Sequence, residues 1–323
     1  MIRNKIQAFF NPEQFQGLGK TRNYFEGWYF KVVNEAETKA FAFIPGIAMD
    51  DSGRKHAFIQ VLDGKRKTAV NHLFAVDKFD PVAGVFKLNI GENHFSGNQL
   101  SLRLPDIQGD LRFRDNVPWP KHWYSPGIMG PYSFVPFMEC YHGIVSMDHQ
   151  IEGELQIDGE SYSFDNGRGY IEKDWGHSFP SAYIWMQTNH FSTPGISLKS
   201  SVANIPWIGK SFVGFIAGIW IYDRLFRFTT YNRSVLRKSY VDKTKVELVI
   251  ENNDFRIELL AHRDHATVLA SPIMGLMDGR IEESMTSRIE INLYDRKHQR
   301  TILSDTGRNG GLEVAGNISE LII

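Results

Sequence analysis

Apolar and polar residues alternate along most of this chain. Val246, Leu248 and Ile250 alternate with Lys245, Glu247 and Val249, and Phe255, Ile257 and Leu259 resume the pattern after Asn252-Asn253-Asp254. Period two on both sides of a polar turn predicts a hairpin. Leu155 and Ile157, then Asp158-Gly159, then Tyr162 and Phe164 predict a second one, with a type I′ turn. Phe86, Leu88 and Ile90 followed by Leu100, Leu102 and Leu104 predict a third around a polar loop. Ile289, Ile291 and Leu293 carry the pattern toward the C-terminus, and Asp63-Gly64 and Asp278-Gly279 read as further turns. No long stretch follows a period of 3.6. The longest apolar run, Phe212 to Tyr222, lies between Lys210 and Asp223. It falls well short of the ~20 residues of a membrane-spanning helix and reads as a buried strand. The expected class is all-β, antiparallel, as barrels or sandwiches.

The chain has 323 residues, more than one such barrel usually needs. Two halves are expected, 1–165 and 166–323, with the boundary near Asn166. The stretch from Asn116 to Phe137 breaks the alternation. Five prolines there are interleaved with Trp119, Trp123, Tyr124, Tyr132 and Phe134. Proline cannot donate to a ladder, so 116–137 is an arm and not a central strand.

Composition narrows the function classes. Lys plus Arg is 36 against 37 for Asp plus Glu, a net charge of −1. That argues against a protein held to nucleic acid by phosphate neutralisation. Cys140 is the single cysteine, which excludes an intrachain disulfide framework and a four-cysteine zinc site. Met1 to Phe10 carries no signal-like apolar segment. A cytoplasmic protein is expected, with peripheral membrane contact left open to its aromatic loops. Phosphate-loop, nucleophile-elbow and zincin motifs are absent. Cys140-x-His142 places two metal-ligating side chains on one strand face, and two such ligands are more often structural. No metal and no cofactor are expected.

Three segments concentrate candidate chemistry. In Phe25-Glu26-Gly27-Trp28-Tyr29-Phe30-Lys31-Val32, extended backbone puts Glu26, Trp28, Phe30 and Val32 on one face. Three of these are apolar, so Glu26 is expected to be buried. A buried carboxyl can keep its proton and act as a general acid, or it can be satisfied structurally by cations and N–H groups. In Gly169 to Pro180, Tyr170, Glu172 and Asp174 share a face, with Lys173, Trp175 and His177 opposite. Two neighbouring carboxyls repel, so one tends to hold a proton, unless Lys173 neutralises them. In Ser181 to Asn189, Tyr183, Trp185, Gln187 and Asn189 line one face. Rings followed by amides suit a pocket wall, and the alternative is an amphipathic edge.

At these residues the sequence resembles the tocopherol cyclase family. The likeness is carried by Tyr24 to Lys31, by Tyr170-Ile171-Glu172-Lys173-Asp174-Trp175-Gly176-His177-Ser178-Phe179-Pro180, and by Trp185-Met186-Gln187. It is weaker over Pro136 to Phe164 and the C-terminal hairpins. More distantly the pattern is similar to the carotenoid hydratase and lipocalin-like superfamily, which implies two lipocalin-like halves. The plant cyclases usually read Glu-Lys-Asn-Trp-Gly where this chain has Asp174. The resemblance implies protonation of a prenyl double bond and attack of a phenol oxygen on the tertiary cation, closing a chroman ring. An alkene is a poor base, so the acid must be a dry, neutral carboxyl. Rings can stabilise the cation and exclude water. The implied acid/base residues are Glu26, Glu172 and Asp174, with His142 and His177 as further candidates. The implied substrate contacts are Trp28, Tyr29, Trp175, Tyr183, Trp185, Gln187 and Asn189. The partner is a prenylated quinol or other hydrophobic isoprenoid. A carrier of a hydrophobic small molecule, or a hydratase or pericyclase on the same scaffold, would share the rings.

Overall fold

The computed structural model describes residues 2–263 and 266–323, and its regular structure is almost all antiparallel strand, 62% of the chain. Two compact units are present: Met1–Phe179 with Ala270–Arg280, and Pro180–Leu269 with Ile281–Ile323.

The first unit holds β1 (Tyr24–Val33), β2 (Ala40–Met49), β3 (Lys55–Asp63), β4 (Thr68–Ala75), β5 (Phe79–Pro81), β6 (Lys87–Ile90), β7 (Asn93–Ser96), β8 (Gln99–Arg103), β9 (Ile107–Arg114), β10 (Cys140–Ile157), β11 (Glu160–Ser163) and β12 (Gly167–Gly176). Their order in the sheet is β4-β3-β2-β1-β12-β10-β9-β8-β7-β6-β5, with β11 added on β10. Trp28, Phe30, Phe41, Phe43, Phe95, Leu111 and Ile171 are among the residues of its apolar core. Each large side chain so buried contributes roughly 1.5–3 kcal/mol.

The second sheet is built from β13 (Ala182–Thr188), β14 (Ser197–Trp207), β15 (Lys210–Ile221), β16 (Arg224–Thr229), β17 (Val235–Val241), β18 (Lys245–Glu251), β19 (Phe255–His262), β20 (Thr267–Ile273), β21 (Leu276–Asp295) and β22 (Arg300–Gly316), of which residues 270–273 and 276–280 belong to the first unit. The order is β16-β15-β14-β13-β22-β21-β19-β18-β17, with β20 on β21. Ile184, Met186, Leu198, Ile219, Leu248, Ile257 and Ile291 lie in its core. Neither sheet closes on itself, so each unit is sandwich-like rather than a closed barrel.

The hairpins read from residues 245–259 and 155–164 are present. Asp158 and Gly159 both take positive φ, 53° and 85°, as a type I′ turn requires. Three expectations need correction. The 86–104 pattern is not one hairpin, because the short strand Asn93–Ser96 lies between Leu88 and Leu100 in the sheet. Only Phe95 of that strand is strongly apolar, so it carries little periodic signal. Asp278-Gly279 lies within a strand, and the turn falls at Met274-Gly275, with φ of 50° and 80°. An eight-residue helix, α1 (Ile2–Phe9), was not expected. It is too short to be stable alone and is tied down from Gln16, whose amide donates to the Ala8 carbonyl at 2.7 Å.

The units divide after Phe179 and not near Asn166. The reason is β12, which begins at Gly167 and sits between β1 and β10 in the first sheet. The proline-rich arm is irregular apart from one 3-10 turn at Gly130–Phe134, as expected. No helix among the described residues is long and apolar enough to cross a membrane.

Candidate active site

The register around β12 sorts its residues onto two faces. Glu26 lies opposite Trp175 and Trp28 opposite Lys173. Gly27 lies opposite Asp174 and Tyr29 opposite Glu172. On the other side, His142 of β10 is the partner of Asp174, and Ile144 that of Glu172. Directly opposed residues of an antiparallel pair share a face. Glu26, Trp28, Lys173 and Trp175 therefore lie on the core side. Tyr29, Tyr170, Glu172, Asp174, Cys140 and His142 lie on the other.

The core-side cluster is closed. Glu26 is fully buried and receives the Tyr24 hydroxyl at 2.5 Å. It also accepts the N–H groups of Gln16 and Gly17, each at 2.9 Å, and pairs with the Lys173 ammonium at 2.5 Å. Lys173 is itself buried and donates to the carbonyls of Pro12, at 2.9 Å, and Gln14. Its Nζ lies 4.6 Å from the centre of the Trp28 ring and 4.9 Å from that of Trp175. Burial pulls the ammonium below the usual lysine range, and the Glu26 carboxylate opposes this. Trp28 stacks on Phe86 and gives its indole N–H to the Glu13 carbonyl at 2.9 Å. The contacts of Pro12, Glu13, Gln14, Gln16 and Gly17 tie the segment 12–17 to β1 and β12. Both Glu26 oxygens are occupied by donors. The geometry thus favours the structural reading of Glu26, and it places Trp28 in the core and Trp175 against Tyr141.

The opposite face holds a different assembly. His142 Nδ1 lies 2.7 Å from Asp174 Oδ1, and His142 Nε2 lies 3.5 Å from Glu172 Oε2. Nε2 is buried and has no hydrogen-bond partner among the described residues. Tyr170 donates its hydroxyl to Glu172. Burial, and then the Glu172 charge, push the Tyr170 phenol well above its usual range. Cys140 Sγ sits 3.8 Å from Asp174, and burial followed by that carboxylate raises its thiol pKa strongly. Glu172 has a side chain 5% exposed and Asp174 one 26% exposed. This is an Asp174–His142–Glu172 row, with Asp174 fixing the ring through Nδ1 and Nε2 facing Glu172. Sequence reasoning named all three residues but could not see that β10 brings His142 beside Asp174. His177 lies past the end of β12 and outside this group.

One ligand atom from each of His142, Glu172 and Asp174 falls within 4.8 Å of the others, so the sequence's lack of a metal-like grouping does not hold in space. The fit to a tightly held zinc is incomplete. Asp174 engages Nδ1, which leaves Nε2 and Glu172, two donors where such a site uses three or four.

In the second unit, Ala182, Ile184 and Met186 enter the core, so Tyr183, Trp185 and Gln187 occupy the other face of β13. All three are buried, as is Asn189 just beyond the strand. Tyr183 donates to Glu313 Oε2 at 2.8 Å. The Trp185 ring lies over Gly311, where a Cβ would come within 2.5 Å of it. Lys199, bonded to Ser201, and Glu283, opposite Glu313, are further buried polar groups. Glu313, Glu283 and Lys199 were missed, because they lie on other strands of the sheet whose register the sequence does not disclose.

The family model described as tocopherol cyclase-like matches residues 104–316. The chain belongs to the tocopherol cyclase-like family.

A probable tocopherol cyclase, chloroplastic, from Oryza sativa subsp. japonica is 23% identical, over 92% of this chain and 76% of its own length. A tocopherol cyclase, chloroplastic, from Zea mays is 26% identical, over 56% of this chain and 40% of its own. Among solved structures, CghA with Sch210972 superposes with a TM-score of 0.56 at 10% identity, covering 91% of this chain and 89% of that one. That likeness is one of fold. Within the tocopherol cyclase-like match lie all of β12 and β10, hence Lys173 as well as His142, Glu172 and Asp174.

Proposed function

We propose that this protein is an acid–base cyclase that closes a chroman ring on a prenylated phenol. The observation that carries the reading is the row Asp174–His142–Glu172 on the face of β10 and β12 away from the core. Family membership supports a prenylated substrate. Glu172 is the proton donor. Its surroundings are dry, and its proton goes to the prenyl double bond, leaving a tertiary cation. The phenol oxygen attacks that cation, forming the ring C–O bond. Its proton passes to His142 Nε2, whose ring Asp174 holds and whose positive charge Asp174 stabilises, the role such a carboxylate plays in a triad. Transfer from Nε2 to Glu172 then restores the acid. No proton is gained or lost overall.

Tyr29 flanks Glu172 on the adjacent strand and offers an aromatic surface for the cation. In the second unit, Tyr183, Trp185, Gln187 and Asn189 are assigned to an apolar ligand with a polar end, two rings for contact and two amides for orientation. Glu26, Trp28 and Trp175 are left out of the chemistry.

The test is product analysis by mass spectrometry after incubation with a prenylated hydroquinone, with and without chelator. A chroman isomeric with the substrate, formed equally in both, is the expected outcome. An alcohol heavier by one water would identify a hydratase. Bound but unchanged ligand would identify a carrier. Loss of turnover with chelator would place a metal between Glu172 and His142.

A further inference from the structure

Gly27 has no structural reason to be glycine. Its φ is not in the left-handed region, unlike that of thirteen other glycines. No backbone or ring crowds it. A Cβ built there would meet Ile44 Cγ2 at 3.7 Å, the Pro45 carbonyl at 3.8 Å and Phe58 Cζ at 3.9 Å, all ordinary contact distances. Its cross-strand partner Gly46 differs, since a Cβ there would lie 2.4 Å from Phe58 and 2.6 Å from the Glu26 carbonyl. A glycine inside a strand destabilises it relative to alanine. At position 27 that cost has no return in folding.

The return lies in what the missing side chain leaves open. Gly27 is the one residue of β1, and Ile44 the one residue of β2, that is not buried. Ile44 and Phe58 share the face of Asp174 by register. Gly27 lies beside Asp174 on the adjacent strand, a spacing of about 5 Å. His142 follows on the next strand. The partly exposed backbone of Gly27 thus lies beside the acid/base row, with Ile44 and Phe58 at its edge.

We propose that the backbone at Gly27 is the seat of the substrate's phenolic ring. A flat ring can lie on exposed peptide where a Cβ would lift it, with Phe58 and Ile44 at its edge and its hydroxyl directed across β12 toward His142. Gly27 is then a specificity-determining residue: it admits a planar aromatic headgroup. This rests on the cyclase reading for the identity of the ring, and its test reads binding instead of turnover.

Gly27→Ala and Gly27→Val are compared with wild type by titration calorimetry with a prenylated hydroquinone, and separately with a ring-free isoprenoid alcohol. Gly97→Ala is the control, because a Cβ there also meets its nearest neighbours at 3.7 and 3.9 Å. Gly27→Ala is expected to melt at or above the wild-type temperature, yet to bind the hydroquinone about tenfold more weakly, the cost of slight overpacking. Gly27→Val should lose more, Gly97→Ala should lose nothing, and the ring-free alcohol should be insensitive. Wild-type affinity in Gly27→Ala and Gly27→Val overturns the proposal, as does failure of wild type to bind the hydroquinone. Equal weakening for the ring-free alcohol also overturns it, because the seat would then take the isoprenoid chain. Binding that depends on Gly27 without chroman formation would sink the cyclase reading and leave the ring seat standing.

Discussion

Glu172, Lys173, Asp174 and Trp175 are consecutive, yet they belong to two assemblies with opposite logic. On the core side of β12, Lys173 is surrounded by a carboxylate, two carbonyls and two indole rings. On the other side, His142 Nε2 lies beside Glu172 without a hydrogen bond. A buried ionic cluster that is fully satisfied is rigid, and removing one member strands the others. A buried row with one unpartnered nitrogen is where the proposed reaction places its base. Adjacent residues can differ this much because side chains of a strand alternate between faces. A motif that reads as one block in the sequence is therefore divided between a closed anchor and an open row of polar groups.

The largest effects should come from the far side. Glu172→Gln keeps shape and removes the proton. His142→Gln removes the base. General acid–base groups contribute roughly 10²–10⁴-fold. Each variant is expected to lose turnover in that range, with substrate affinity and melting temperature near wild type. Asp174→Asn still accepts from Nδ1 and removes only the charge, so a smaller loss is expected. Full activity in Glu172→Gln and His142→Gln together would dissolve the distinction between the two faces. Single-turnover product formation beside thermal melts makes the measurement.

Next come the core-side residues, with the opposite signature. Lys173→Met leaves Glu26 buried without its cation, and breaking one partner of a buried pair costs about 3–5 kcal/mol. Glu26→Gln leaves Lys173 in the same position. Both single variants should unfold at lower denaturant concentration, while turnover per folded molecule persists. The double variant Glu26→Gln, Lys173→Met should be destabilised by less than the sum, because the stranded charge is gone. Strict additivity would mean that the pair is not coupled, and loss of turnover without loss of stability would return Glu26 to the chemistry.

The same contrast marks what was legible in the sequence. Period two located the motif strands and put Tyr170, Glu172 and Asp174 together, and the apolar neighbours of Glu26 correctly announced its burial. Partnership across strands was not legible. That Lys173 meets Glu26 depends on the β1–β12 register, and that His142 meets Asp174 depends on β10 arriving from 32 residues away. A buried carboxyl in a strand has one appearance in sequence whether a lysine or a substrate faces it. The unit boundary failed for a related reason, because β12 follows β11 in sequence yet is inserted beside β1.

His149 supplies the smallest and sharpest check on the idea that core-side polar groups stabilise only when partnered. It lies on β10, packed against Phe113 at 4.4 Å between ring centres, with its ring where a Gly169 side chain would be. Neither ring nitrogen has a hydrogen-bond partner among the described residues, and burial holds its pKa down at about 3. Above the ordinary histidine value near 6.5 both folded and unfolded chains carry it neutral, so its linkage costs nothing there. As pH falls below that value the unfolded chain takes a proton and the folded one does not. Stability is therefore lost down to about pH 3, where the folded state also binds the proton. Between pH 7 and pH 5 this one residue should remove about 2 kcal/mol. His149→Met fills the site with an adaptable apolar chain that does not titrate. Urea unfolding at the two pH values should show the variant losing about 2 kcal/mol less than wild type across that interval. An identical pH dependence in the two proteins would mean that His149 finds a proton partner in the folded state, and the contrast with the fully partnered Lys173 would not hold.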